Sequence, residues 1–192
     1  MLRGIVTVVF CFIATNCFCQ TNAPYKECRL AAGWGLANPQ KNASGTGSLF
    51  WMQLSYGIGE RVLVATEFEN MHYKQPGFYS PPADMNKINV YENNFSLLLK
   101  YMLLRGKKMK VMVGSGWTYC TRINDYFQEM SDGATTWFEE RQYGVNDYRV
   151  PLYTDVEYPL VKTVNLQLRG RYNLNVQNGN TYSVGLGLSV KL

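Results

Sequence analysis

Apolar residues alternate with polar or small ones through most of this chain from residue 28 onward, and this alternation limits what the chain can fold into. In residues 182–192, every second residue from Tyr182 to Leu192 is apolar, and those between them are Gly, Ser or Lys. Successive side chains of a β-strand point to opposite faces, so a period of two indicates strands with one apolar face. Eight segments show the pattern: 28–36, 49–58, 62–69, 94–103, 110–119, 152–158, 164–174 and 182–192. The sequence therefore predicts an all-β protein with eight antiparallel strands.

The composition of the second face separates a membrane barrel from a soluble one. Seven glycines stand on it among Ser, Asn, Gln and charged residues: Gly33, Gly35, Gly57, Gly114, Gly116, Gly185 and Gly187. Glycines facing water would only weaken the strands, whereas inside a narrow barrel they make room for long Arg, Glu and Lys side chains. Only 17% of the residues are charged, against about 25% in an average soluble domain. We therefore predict an eight-stranded antiparallel up-and-down transmembrane β-barrel whose apolar face meets lipid.

The lengths of the predicted connections support a membrane-spanning barrel. Such barrels have short periplasmic turns and longer extracellular loops. Here short connections alternate with longer ones: 37–48, 59–61, 70–92, 104–108, 121–149, 159–162 and 176–180. The short connections all fall at one end of the predicted barrel. Nothing in a soluble meander requires this arrangement.

Aromatic residues at both ends of the strands fit the two interfaces of a bilayer. Trp and Tyr concentrate at headgroup level, because their rings have one apolar and one polar part. Two aromatic belts are predicted, Tyr56, Tyr101 and Tyr158 at the periplasmic end and Phe68, Trp117, Tyr119, Tyr172 and Tyr182 at the outer end.

The first nineteen residues have the features of a secretory signal peptide. Arg3 supplies a positive start and an apolar run follows, too short to span a membrane as a helix. We predict cleavage before Gln20, which divides the chain into a signal peptide, 1–19, and a barrel domain, 20–192. A buried N-terminal strand and a lipoprotein signal are less favoured alternatives. The latter normally has a small residue before its Cys, whereas Asn16 and Phe18 precede the two cysteines here.

Two cysteines remain after the predicted cleavage, Cys28 and Cys120. One disulfide is the ordinary expectation in an exported chain, but the predicted topology puts the two residues near opposite ends of their strands. The sequence leaves the pairing open.

At this point the chain resembles the small eight-stranded outer-membrane barrels of the OmpA and OmpX kind, over roughly residues 28–192. The resemblance rests on the alternation of apolar and polar residues, on the regular order of short and long connections, and on the last strand. Such barrels usually end in an aromatic residue that the assembly machinery reads, whereas this chain ends in Leu192. The resemblance implies a Gram-negative outer-membrane location and contact with outer-membrane lipids, lipopolysaccharide and the assembly machinery, with no cofactor.

Charged residues on the inward face predict the state of the lumen. They include Glu67, Glu69, Lys100, Asp155, Glu157, Arg169 and Arg171. Counted from the short turns, the two glutamates of strand three lie at the height of the two arginines of strand seven, across the barrel. A gated pore or binding site is one interpretation. A plug of paired charges is favoured, because the interior of an eight-stranded barrel is only wide enough for side chains.

Catalytic, metal and nucleic-acid sites are not supported by the sequence. Some small outer-membrane barrels hydrolyse or transfer acyl chains of lipid A, and the deacylases among them use a His-x-Ser pair. The single histidine, His72, is followed by Tyr73 and Lys74. Without a CxxC motif or a second histidine there is no obvious zinc ligand set. The basic residues in 105–110 are interpreted as solvated turn charges, and we expect no enzyme, metal or nucleic-acid partner.

The two longest connections, 70–92 and 121–149, are the predicted functional surface, because acidic and aromatic residues are interspersed there. Residues 135–143 are expected to extend strand six beyond the membrane and leave a sheet edge for an unknown extracellular ligand. Solvated loops and a divalent-cation site are the alternatives for the acidic residues. The favoured function is structural or adhesive binding. A narrow porin-like channel and a secreted soluble β-barrel carrier of an apolar ligand are the competing hypotheses.

Overall fold

Eight antiparallel strands form a closed barrel in the computed structural model, which describes residues 27–39, 46–76, 87–106, 108–133, 135–175 and 180–192. The strands are β1 (Cys28–Pro39), β2 (Gly47–Gly57), β3 (Val62–Pro76), β4 (Lys87–Arg105), β5 (Lys110–Ser131), β6 (Thr136–Pro159), β7 (Val164–Leu174) and β8 (Thr181–Lys191). Each strand pairs with the next along the chain, and β1 pairs with β8 to close the ring. The predicted fold class is confirmed. The predicted signal peptide, 1–19, lies outside the described residues.

Three tight turns, at 58–61, 106–109 and 160–163, stand at one end of the barrel, which we call the short-turn end. Backbone hydrogen bonds close them, including Gly106 N to Met109 O at 2.9 Å. Both ends of the barrel sequence lie here as well, because the backbone N–H of Leu192 donates to the carbonyl of Cys28 at 2.9 Å. The opposite end carries the other four connections, and we call it the open end.

The strands at the open end are longer than the sequence pattern predicted. Residues 121–149 are not a loop, because β5 runs to Ser131 and β6 begins at Thr136. The predicted extension of strand six over 135–143 is confirmed from Thr136 onward. Likewise, 70–92 is largely strand, since β3 continues to Pro76 and β4 starts at Lys87. Beyond the bilayer the outer face of a strand meets water, so the apolar–polar alternation disappears although the backbone ladder continues. The inner face stays buried, for example at Tyr73 and Glu92.

The inside of the barrel holds buried charges, and its outside carries exposed apolar side chains. Glu69 and Asp155 are fully buried inside, whereas Leu99 and Leu186 on the outside are more than half exposed. This is the reverse of a soluble protein, and it fits a barrel whose outer face is covered by lipid. Within the described residues, no helix is long and apolar enough to cross a membrane.

Candidate functional site

The middle of the lumen holds a network of ion pairs, which we call the central network and which consists of Glu67, Glu69, Lys100, Asp155, Arg169 and Arg171. Arg169 pairs with Glu67 across the barrel and donates from Nε to Asp155 Oδ1 at 3.0 Å. Arg171 Nη1 lies 2.6 Å from Glu69 Oε2 and 2.9 Å from Glu67 Oε1. Lys100 pairs with Asp155. The structure thus brings together six of the seven predicted lumen residues.

Glu157, the seventh, lies apart from the central network at the short-turn end. Its Oε2 accepts from Arg29 Nη1 at 2.8 Å, and the same guanidinium donates to Glu27 Oε2 at 2.8 Å. Glu27 precedes β1 and also pairs with Lys191 at 3.3 Å. Burial by itself would raise the pKa of Glu27, but the hydrogen bond and charge of Arg29, helped by Lys110 and Lys191, lower it to about 2.

A third charged cluster, at the open end, was missed by the sequence reasoning. Glu92 Oε1 accepts from Arg122 Nε at 2.7 Å, and its Oε2 accepts from Arg149 Nη1 at 2.8 Å. Arg149 also donates from Nε to Asp147 at 3.0 Å. These residues fall in the segments that the sequence assigned to loops. Every second residue of β4 faces the lumen, and Glu92 lies two residues before the inward-facing Asn94. The sequence therefore already indicated that Glu92 faces inward.

A buried tryptophan fills the lumen beside the central network. The guanidinium carbon of Arg169 lies 3.8 Å from the ring centroid of Trp51, which is fully buried. Small residues on the neighbouring strands make space for this ring, since a Cβ built on Gly33 or Gly187 would stand 2.7 Å from Trp51 Cζ2. The sequence predicted that the glycines accommodate charged side chains. A Cβ on three of them (Gly33, Gly185 and Gly187) would meet the ring of Trp51, whereas a Cβ on Gly114 would meet the side chain of Lys100, in agreement with the prediction.

The predicted aromatic-belt residues lie on the outer surface and are exposed or half-buried: Tyr56, Tyr101 and Tyr158 at the short-turn end, and Phe68, Trp117, Tyr119, Tyr172 and Tyr182 toward the open end. Phe95 and Tyr148, which the sequence reasoning did not include, extend the second belt. Phe68 and Phe95 have ring centroids 5.0 Å apart, and Trp117 stacks on Tyr148 at 5.1 Å.

His72 lies on the same outer surface, where its ring stacks on Tyr91 with centroids 4.5 Å apart and planes 2° apart. Among the described residues, no group of three or more His, Cys, Asp or Glu side chains is arranged to hold a metal ion. Cys28 begins β1 at the short-turn end, whereas Cys120 is buried near the middle of β5, and no disulfide joins the two.

The β5–β6 hairpin projects beyond the other strands that the structure describes. Pairing of β6 with β7 runs only from Val150 to Pro159, whereas pairing with β5 continues to Thr136. Within the described part of the chain, the backbone of residues 136–149 is therefore paired on one side only. Trp137 and Tyr143 are strongly exposed on this strand. An unpaired, partly aromatic strand edge is the kind of surface that adds another strand.

No protein-family model and no curated protein matches this sequence. Solved structures share its fold. Ail, the attachment invasion locus protein of Yersinia pestis, superposes with a TM-score of 0.58 at 9% identity, over 88% of this chain and 99% of that one. Neisserial surface protein A gives 0.58 at 18% identity, over 86% and 96%. The N-terminal β-barrel domain of Pseudomonas aeruginosa OprF gives 0.54 at 13% identity, over 88% and 99%. The chain therefore has the fold of small eight-stranded outer-membrane barrels, as predicted.

Proposed function

We propose that this protein is an integral outer-membrane barrel of Gram-negative type that binds a partner polypeptide through its projecting hairpin, without enzymatic activity. In this proposal the chain is exported by a cleaved signal peptide, 1–19, and inserted by the outer-membrane assembly machinery, with lipopolysaccharide around its open end. The single observation that carries the proposal is the edge of β6 over residues 136–149, which pairs with no described strand other than β5. The fold shared with an attachment protein, Ail, is consistent with it.

Strand addition suits this edge because its backbone N–H and C=O groups are already held in extended geometry by pairing with β5. A partner strand gains main-chain hydrogen bonds from such an edge and selectivity from the side chains beside it. Trp137 and Tyr143 offer large, rigid apolar contacts at low entropic cost. Natural proteins usually cover or shorten an edge of this length, so its persistence favours a binding role.

The charge of the hairpin indicates what kind of strand it accepts. Residues 123–146 carry five acidic side chains and one basic one, a net charge of −4, whereas the full chain has a net charge of +5. Opposite charge across an interface accelerates association and selects partners. The favoured partner is therefore an extended segment that carries Lys or Arg.

The lumen supports a closed barrel and does not favour the two competing hypotheses. Its long side chains are paired with one another rather than arranged along an open path, which argues against a porin-like channel. The paired charges in the middle of its interior disfavour an apolar ligand there, which argues against a soluble carrier.

A peptide-binding experiment tests the hairpin. A fluorescein-labelled peptide of about ten residues, in which Lys alternates with Val or Thr, is titrated with the barrel in lipid nanodiscs and followed by anisotropy. The comparison variant replaces residues 126–141 with an Asn-Gly turn between Asp125 and Gln142, which face each other across the hairpin. We expect this variant to bind at least about tenfold more weakly than the wild type.

A second peptide separates strand addition from simple charge attraction. It has the same sequence but carries N-methyl groups on alternate residues, so that one of its edges lacks N–H donors. We expect it to lose binding to the wild-type barrel. Equal binding of the two peptides, or equal binding to both barrels, would contradict the proposal.

A further inference from the structure

The three tight turns at the short-turn end carry exposed cations. These are Arg61, Arg105, Lys108 and Lys162, which we call the basic rim. Glu60 is the only exposed acidic residue described in the same turns. The rim is thus positive, whereas the hairpin at the opposite end of the barrel has a net charge of −4. The basic rim is therefore a different surface from the hairpin, which is proposed to bind a partner polypeptide.

The cations of the basic rim are not paired with any carboxylate in the part of the chain that the structure describes. Among the described residues, none of the four takes part in an ion pair, although every arginine of the central network has one. The guanidinium of Arg105 only reaches the backbone carbonyl of Glu60, at 3.5 Å. These charges are therefore available to an external anion.

Exposed apolar side chains accompany the cations in the same turns. Ile58 is 59% exposed in the first turn and Val161 is 61% exposed in the third. At the end of β4, just before the second turn, a β-bulge between Met102 and Leu104 leaves Leu103 and Leu104 both exposed next to Arg105. Apolar side chains in a tight turn gain nothing from water, but they are stabilised at the boundary between acyl chains and headgroups. Long cationic side chains beside them then extend to the phosphate level.

From this arrangement we infer that the basic rim binds the headgroups of anionic phospholipids in the leaflet at the short-turn end. The ligand is a phosphodiester with a net negative charge, such as that of phosphatidylglycerol. A zwitterionic headgroup presents its own ammonium to the rim and gains less from it. Basic segments next to a membrane are attracted to anionic lipid in this way, over distances within a Debye length.

Lipid selectivity measured by electron paramagnetic resonance tests the inference. The wild-type barrel is inserted into phosphatidylcholine vesicles that contain trace spin-labelled phosphatidylglycerol or spin-labelled phosphatidylcholine, and the motionally restricted fraction gives their relative association constant. We expect a preference of about threefold for phosphatidylglycerol, falling toward one in 1 M salt, where the Debye length is about 3 Å. The four-fold variant R61Q/R105Q/K108Q/K162Q is expected to show no preference.

Two matched controls separate the rim from net charge. The variant R61K/R105K keeps the charges and is expected to keep the preference. The variant Q128E/S131E/T136E/Q142E lowers the net charge by the same four units at exposed hairpin positions. It is expected to keep the preference as well, because its new charges lie at the far end of the barrel.

The inference rests on the barrel spanning a membrane, and a gel shift between boiled and unboiled samples checks this first. A gel shift without any preference of the wild type for phosphatidylglycerol overturns the lipid site alone. A preference of R61Q/R105Q/K108Q/K162Q equal to that of the wild type overturns it as well. If the barrel in detergent binds soluble polyglutamate and the barrel in vesicles shows no preference for phosphatidylglycerol, the rim binds an acidic polypeptide. That outcome would also overturn the lipid site. Absence of the shift overturns the membrane barrel together with the lipid site.

Discussion

The guanidinium of Arg169 stacks on the indole of Trp51 at 3.8 Å in the middle of the barrel. The same guanidinium pairs with Asp155 and Glu67, so one side chain joins the aromatic filling of the lumen to its ion pairs. Planar guanidinium groups suit this double role, because they stack on a ring face and donate hydrogen bonds in their own plane. The lumen is therefore packed as a unit rather than lined by independent charges.

A methyl group placed against this ring is predicted to weaken the barrel. A Cβ on Gly185 would stand 2.8 Å from Trp51 Nε1, whereas its nearest backbone contact would be 3.2 Å away. We expect Gly185→Ala to lower the free energy of unfolding by about 1–3 kcal/mol through overpacking. Urea unfolding of the barrel in detergent, followed by the gel shift, measures the change.

Two further variants test whether the ring causes this loss. Gly170→Ala adds the same methyl group where the nearest atom would be 3.9 Å away, and we expect it to be nearly neutral. Trp51→Leu combined with Gly185→Ala is expected to lose less than the sum of the two single changes, since the ring that obstructs the methyl group is gone. Additive losses would mean that the clash lies elsewhere.

Removal of Arg169 is predicted to destabilise the barrel more than removal of any surface arginine. Arg169→Ala leaves Asp155 and Glu67 buried with one cation fewer, which costs about 3–5 kcal/mol in comparable buried pairs. The matched control is Arg141→Ala, whose ion pair with Glu139 is half exposed and is worth under about 1 kcal/mol. The temperature at which the unboiled gel band is lost reports both changes. Equal temperatures for the two variants would contradict a structural role of the central network.

The packed lumen is predicted to conduct no ions. Wild-type protein in planar bilayers should give a flat current trace, because long paired side chains occupy the interior. Replacement of Glu67, Arg169 and Arg171 with glycine removes three of them and is expected to produce single-channel steps. The hairpin-shortened variant should stay closed, since closure lies inside the barrel. Steps in the wild type equal to those of the triple variant would favour the porin-like alternative.

Acid is predicted to weaken the short-turn end through Glu27, which lies outside the membrane-spanning strands. Its pKa is lowered from 4.5 to about 2 in the folded protein by Arg29, Lys110 and Lys191, against the opposing effect of burial. A carboxyl group with a lowered folded pKa stabilises the protein fully above pH 4.5, and this contribution is lost as the pH falls through about 2.

The comparison with Glu27→Gln isolates this group from the other carboxylates. The difference in unfolding free energy between wild type and variant is expected to be constant at neutral pH, to shrink below pH 4.5 and to vanish near pH 2. Urea titrations at several pH values measure it. A difference that does not change with pH would show that Glu27 acts through packing alone.

The number of strands, the direction of each face and the inward charges were predictable from the sequence by itself. These properties depend on the period of two along a single strand, which is local and is enforced by lipid on one side. Counting from the short turns also placed Glu67 and Glu69 on the strand that faces Arg169 and Arg171. The aromatic belts followed from the same count.

Only the tertiary structure decided where the strands end and which side chains meet across the lumen. The extension of strand six was expected, but the continuation of β5 to Ser131 was not, because both faces of the hairpin tip are exposed and no alternation marks it. The contacts of Trp51 with Gly185 and of Glu157 with Arg29 join strands that are distant in sequence. They depend on the register and closure of the whole barrel, and no local pattern along one strand contains that information.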